Sequence, residues 1–177
     1  MTTMTNLFRS LRSRRSSLVM AVFVSLLIFG CRDAMTAGKA AADKPVDFRL
    51  KTVDGRTLGP KDFRGQVVVV DFWATWCGPC HIQARILEPI HRDFHGKGVQ
   101  FLAANVGEDE ATVRGFVKDK PFPYPVLLDE ESKVSGNLGV VALPTLMVID
   151  KKGKVSYLES GLADGDTLRA VIKKAGA

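Results

Sequence analysis

Three cysteines in 177 residues are too few for the multiply bridged scaffold of a small secreted miniprotein. Only one CxxC is present, Cys77 to Cys80, whereas a closed zinc site takes four ligands. Acid is missing from the first thirty residues, where Arg9, Arg12, Arg14 and Arg15 supply much of the +6 formal charge. Without them 21 bases face 19 acids, with no Lys/Arg cluster, so nothing marks a nucleic-acid partner. Long hydrophobic runs are missing as well. The run Leu18–Phe29 stops far short of the roughly 20 residues that a membrane-crossing helix needs. No internal repeat is visible.

What is there begins with an export signal, residues 1–30: an arginine-rich start that leads into the apolar run. Ile28-Phe29-Gly30-Cys31 resembles a lipobox, in which the cysteine is lipidated and becomes the mature N-terminus. The alternative is an incidental Cys31 thiol, with cleavage after Ala40-Ala41-Ala42 and a soluble periplasmic product. Lipidation would remove the odd cysteine and leave Cys77 and Cys80 as a pair. Ser13-Arg14-Arg15 brushes against the twin-arginine signal, but Ser17 stands where that signal has a large apolar residue. Residues 31–44, mostly Ala, Gly and Lys, bury too little to offset ordering entropy and read as a tether. Residues 45–177 form one domain.

Within that domain, Asp47–Lys51 alternates polar and apolar, and Asp54-Gly55 turns the chain into Arg56-Thr57-Leu58, a short β-ribbon. Gln66–Phe72 is a β-branched run without alternation, the pattern of a central strand covered on both faces. Ile82, Ile86, Ile90 and Phe94 then predict a helix with one apolar stripe, and Pro89 inside it predicts a kink near Arg85 to Pro89. Strands are expected at Val99–Val106, Pro125–Leu128, Leu146–Asp150 and Lys154–Glu159. Helices are expected near Glu110–Val117, Glu131–Leu138 and Asp166–Lys174. This order is α/β: a mixed central sheet flanked by helices, with an antiparallel pair at its end.

The CxxC directly follows the buried strand and opens the helix. Cys77 at the helix N-terminus meets unpaired amides and the positive end of the macrodipole, which favour a thiolate, so it is the expected nucleophile. Cys80, one turn further in, is the expected resolving thiol. Pro79 is tolerated in the first turn, where its missing N–H has no partner to lose. His91 and His95 share a helix face, but with no third ligand in view they read as a solvated surface. The run Glu108-Asp109-Glu110 reads as a charged helix start.

Val70-Asp71-Phe72-Trp73-Ala74-Thr75-Trp76-Cys77-Gly78-Pro79-Cys80 resembles the active-site segment of thioredoxins, and Leu143-Pro144-Thr145 resembles their cis-proline loop. The entry segment Asp47–Gly65, Asn105-Val106-Gly107-Glu108 and an αβ insertion before Leu143-Pro144 are similar to the TlpA/ResA branch of extracytoplasmic, membrane-anchored reductases. The resemblance implies a thioredoxin-like fold and reduction of disulfides in exported proteins, with apocytochrome c and oxidase assembly proteins as substrates. It implies a membrane thiol donor of the DsbD/CcdA type and no cofactor beyond the Cys77–Cys80 couple. Trp76, Gly78, Pro79, Leu143, cis-Pro144 and Gly161 would bind substrate, while Trp73 is core. The branch usually has a glutamate three residues after the second cysteine, where this chain has Gln83, and a proline five residues after it, where this chain has Arg85. Asp71 matches the buried aspartate of cytoplasmic thioredoxins and is the expected base for Cys80; the plainer alternative is a hydrogen-bonded core acid. A metallochaperone holding copper or zinc at the CxxC is the competing reading. A peroxiredoxin lacks its Pro/Thr-rich cysteine loop here.

Overall fold

The computed structural model describes residues 45–177. The expected signal at residues 1–30, the tether at 31–44 and Cys31 lie outside the described residues. Among the described residues no helix is long and apolar enough to cross a membrane.

The β-branched run becomes β3, Val67–Trp73, with every residue buried, as expected for a strand covered on both faces. Parallel to it run β4, Val99–Val106, and then β5, Val126–Asp129. On the other edge of β3 lies antiparallel β6, Thr145–Ile149, followed by antiparallel β7, Val155–Ser160. The ribbon, β1 Leu50–Thr52 and β2 Thr57–Leu58, does not stand apart, because β1 also pairs with β5. The result is one seven-stranded mixed sheet in the order β2-β1-β5-β4-β3-β6-β7. Its helices are α1 Gly78–Phe94, α2 Glu110–Asp119, α3 Lys133–Asn137 and α4 Gly165–Lys174. The expected insertion is α2, β5 and α3, between β4 and β6.

Strand alternation sends the side chains of β3 into two core layers. Val68, Val70 and Phe72 pack with Phe48, Leu102, Leu127 and Met147. Val69 and Trp73 pack with Leu87, Ile90, Phe101 and Leu168, and this second layer also holds Cys77 and Cys80. Each large apolar side chain so buried is worth about 1.5–3 kcal/mol relative to exposure.

The helix α1 corrects the expected stripe. Its buried residues are Cys80, Gln83, Leu87, Ile90 and Phe94, and Ile82 is exposed. A four-residue spacing drifts about 40° around a helix at each step, so Ile82 and Phe94 cannot share one face. The alternating three- and four-residue spacing does hold a face, and it runs through a glutamine that hydropathy alone passes over. The helix is continuous through Pro89.

Candidate active site

Cys77 is the N-cap of α1, its backbone still extended (φ −83°, ψ 96°). Its sulfur accepts from the Cys80 N–H at 3.2 Å and is bonded to the Cys80 sulfur at 2.00 Å. The cap position follows from the sequence: β3 ends at Trp73, Ala74 to Trp76 turn the chain, and Gly78-Pro79 fill the first two helical positions, where Pro supplies a preset φ. An anion on the Cys77 sulfur is therefore stabilised by an amide and by the positive end of the helix.

The loop that delivers Cys77 is held from two sides. Glu108 accepts from the Thr75 N–H at 2.7 Å, from the Thr75 hydroxyl and from the Asn105 amide at 2.7 Å. His81 donates from Nε2 to the Thr75 carbonyl at 3.0 Å and lays its ring on Phe116. On the far side of α1, buried Gln83 accepts from the Ala163 N–H at 2.8 Å and donates to the Ala163 carbonyl at 3.4 Å, latching the helix to the segment before α4. Sequence reasoning missed all three roles. In the acidic run, Asp109 does cap α2 and Glu110 does open it, but Glu108 turns away to the active-site loop. A carboxylate one residue outside its helix cap was the available signal.

The Leu143–Pro144 bond is cis. Thr145, the next residue, lies opposite Phe72 in register, which puts the loop at the end of β3 from which the CxxC departs. Leu143 packs against the layer containing both cysteines. Gly161 donates from its N–H to the Pro144 carbonyl at 2.7 Å, and its φ of +99° is open to glycine at little cost. Close to these residues along the chain, large apolar side chains are exposed: Trp76 is 72% exposed and Val141 89%, with Ile82 and Leu162 also exposed. Cys77 itself is only 4% exposed.

Asp71 lies on the face of β3 that carries Val69 and Trp73, hence in the layer of the cysteines. It is fully buried, neither carboxylate oxygen has a hydrogen-bond partner, and burial pushes its pKa up to about 7. Trp73 is core, its ring against Phe122 at 4.7 Å and Phe116 at 5.2 Å. The expected solvated histidine pair is half corrected: His91 packs on Phe101 and Tyr124, and burial, with the charges of His95 and Arg92, lowers its pKa. Among the described residues no three His, Cys, Asp or Glu side chains are placed to share a metal ion.

A CxxC disulfide at a helix N-cap, set beside a cis-proline at the end of a mixed sheet, defines a thiol-disulfide oxidoreductase of thioredoxin fold. The Redoxin family profile matches residues 37–172, and the chain belongs to that family, within its ResA-like thiol-disulfide oxidoreductases. It is 32% identical over 146 residues to the thiol-disulfide oxidoreductase ResA of Bacillus cereus, covering 82% of each chain. Among solved structures, a putative thiol:disulfide interchange protein DsbE from Chlorobium tepidum superposes with a TM-score of 0.69 at 31% identity, over 75% of this chain and 95% of that one. The exposed lipoprotein thioredoxin Etrx1 of Streptococcus pneumoniae gives 0.67 at 29% identity, over 73% and 99%.

Proposed function

We propose that the protein reduces disulfides of exported proteins outside the cytoplasm. The observation that carries this reading is the N-cap placement of Cys77 within a collar of exposed apolar side chains beside a cis-proline. Such a collar suits an extended, partly unfolded segment, with Trp76, Gly78, Pro79, Leu143, Pro144 and Gly161 as its contacts. The Cys77 thiolate attacks a substrate disulfide, forms a mixed disulfide and releases one substrate thiolate. Cys80, giving its proton to Asp71, attacks the Cys77 sulfur, closes the Cys77–Cys80 bond and releases the second thiolate. Two electrons pass to the substrate, and both released thiolates end protonated. Asp71 fits the base role because its pKa, raised by burial to about 7, lets it take and return a proton near neutrality. It stands in for the glutamate that Gln83 replaces.

The Gly-Pro spacer favours the reducing direction, with a couple near the roughly −270 mV of thioredoxin rather than the roughly −120 mV of the oxidant DsbA. A membrane thiol donor of the DsbD/CcdA type would recharge the dithiol, and apocytochrome c or oxidase assembly proteins are the substrates that the family resemblance offers. A lipid anchor on Cys31 is supported by the lipobox-like segment and by the description of the pneumococcal relative as an exposed lipoprotein. The deciding experiment is the reduction potential of the Cys77/Cys80 couple in glutathione or dithiothreitol buffers: a value near that of DsbA would reverse the direction of exchange. Mass spectrometry of the membrane-extracted protein should find an acylated N-terminal Cys31; an unmodified start at Asp43 would mean a soluble periplasmic enzyme.

A further inference from the structure

Beside the redox pair, α1 borders an open groove of about 500 Å³, whose other wall is the end of α2 and the segment after it. Phe116, Phe122 and Tyr124 supply its aromatic lining, and His81, Arg85, Glu88 and Lys120 carry its charged and titratable groups. Apolar walls with a few polar groups, at this volume, are the make-up of a binding site.

The groove reaches the reacting end of the molecule through His81. This residue directly follows Cys80, and its Nε2 bonds the carbonyl of Thr75, two residues before Cys77, at 3.0 Å. The His81 ring lies on Phe116 at 5.2 Å, and the Lys120 ammonium stands over the same Phe116 ring at 5.2 Å. Arg85 follows His81 by four residues, so the two are neighbours on one face of α1. Both cations therefore stand near the His81 end, Arg85 across one helical turn and Lys120 across one ring.

The charges of the groove are unequal. Its one acid, Glu88, is committed to Arg92 at 2.7 Å. Arg85 and Lys120 are exposed, and neither is in an ion pair among the described residues. What is left uncommitted is two positive charges over aromatic rings, the complement of an acidic residue next to an apolar one. The length also fits a peptide: from His81 to Glu88 the helix rises about 10 Å, the span of about three residues of extended chain.

We propose that this groove is a specificity site for the residues that flank the target cysteine of a protein substrate. It takes an extended acidic segment of about three residues, with a carboxylate held by Arg85 and Lys120 and a large apolar side chain laid on Phe116 and Phe122. This rests on the reading of the protein as a reductase of protein disulfides and names the chemistry of the substrate. Charge of this kind acts on the choice of partner and on the rate of encounter rather than on the exchange step itself.

The test uses disulfide-linked dimers of one short peptide in which the residues around a Phe-Cys pair are Asp, Ser or Lys. Prereduced protein is mixed with each, and the loss of its Cys77 and Cys80 thiols is timed by acid quench and alkylation. Each rate is divided by that of dithiothreitol with the same peptide, which removes the peptide's own reactivity. The wild type should prefer the Asp peptide to the Lys peptide about tenfold at low salt, with the ratio falling toward unity near about 1 M salt, where exposed charges are screened. Arg85→Glu and Lys120→Glu, made separately, should each abolish or invert the preference; a ratio within one variant is untouched by a general loss of activity. Lys97→Glu, past the far end of α1, should keep the wild-type ratio. Reduction of all three peptides without preference overturns the groove as a specificity site while the reductase reading stands. An unchanged ratio in both groove variants, or an equal change in Lys97→Glu, also overturns it, as steering by net charge. Reduction of none of the three rejects the reductase reading itself.

Discussion

The two core layers that β3 separates are built alike and used differently. One, around Val68, Val70, Phe72, Leu102, Leu127 and Met147, buries the polar side chains of Asp129 and Thr145 on the same strand faces, but both are hydrogen-bonded. The other contains Cys77, Cys80, Asp71, Trp73 and Tyr124, and it concentrates the unsatisfied polar atoms of the described residues. A single strand supplies both, since alternate residues face opposite ways. Stability and chemistry can therefore be assigned to opposite faces of one sheet. The face carrying chemistry bears a cost that its partner helps to offset.

Five variants sharpen or break that division. The largest effect belongs to the cysteines: Cys77→Ser should lower turnover by about three orders of magnitude or more and trap nothing, because a residue acting within a catalytic unit takes most of the unit with it. Cys80→Ser should be equally inactive yet accumulate mixed disulfides on non-reducing gels. Equal trapping by both would undo the assignment of nucleophile and resolver. Next, Phe72→Ala in the layer away from the cysteines should cost about 3–5 kcal/mol in urea unfolding, leaving the potential of the couple unchanged. A shifted potential would show that the layers are not separable.

Asp71→Asn, on the other face, should do the reverse, slowing resolution without loss of stability. The folded pKa of Asp71, about 7, lies above its unfolded value, so the native state holds the extra proton between roughly pH 4 and 7 and stability falls as pH rises through that window. Asn removes this slope. Near pH 7.5 the variant should be equal to the wild type or more stable by about 1–3 kcal/mol, with the advantage vanishing near pH 4. A thermal-melt series across that range checks the sign. The smallest effect is expected for Glu108→Gln, which keeps one acceptor but leaves a Thr75 donor short, costing about 1–2 kcal/mol in the same melts.

The frame of this molecule was legible in its residues. The β-branched run marked β3, the CxxC marked the start of α1, and turn residues placed the ribbon and the last hairpin, each within a few positions of the observed element. These are local signals, set by period and backbone preference. What stayed hidden depends on tertiary neighbours. That β1 would join β5 needed the edge of the sheet. Gln83 became core only because the Ala163 backbone comes to meet it. His91 is half-buried because Phe101 and Tyr124 pack on its ring. The site divides the same way: the cysteines and Pro144 stand in motifs, whereas Glu108 and His81 hold the active-site loop through contacts to Thr75 that no motif marks.

Both tryptophans of the chain flank the redox pair, and they sit in opposite surroundings: Trp73 is sealed among Phe116 and Phe122, while Trp76, beside Cys77, stands in water. An excited indole loses its emission to a nearby disulfide, which accepts an electron, but much less to a pair of thiols. The protein thus carries its own optical gauge. Opening the Cys77–Cys80 bond should brighten it, and the blue and red parts of the spectrum should separate what the buried ring senses from what the exposed ring touches.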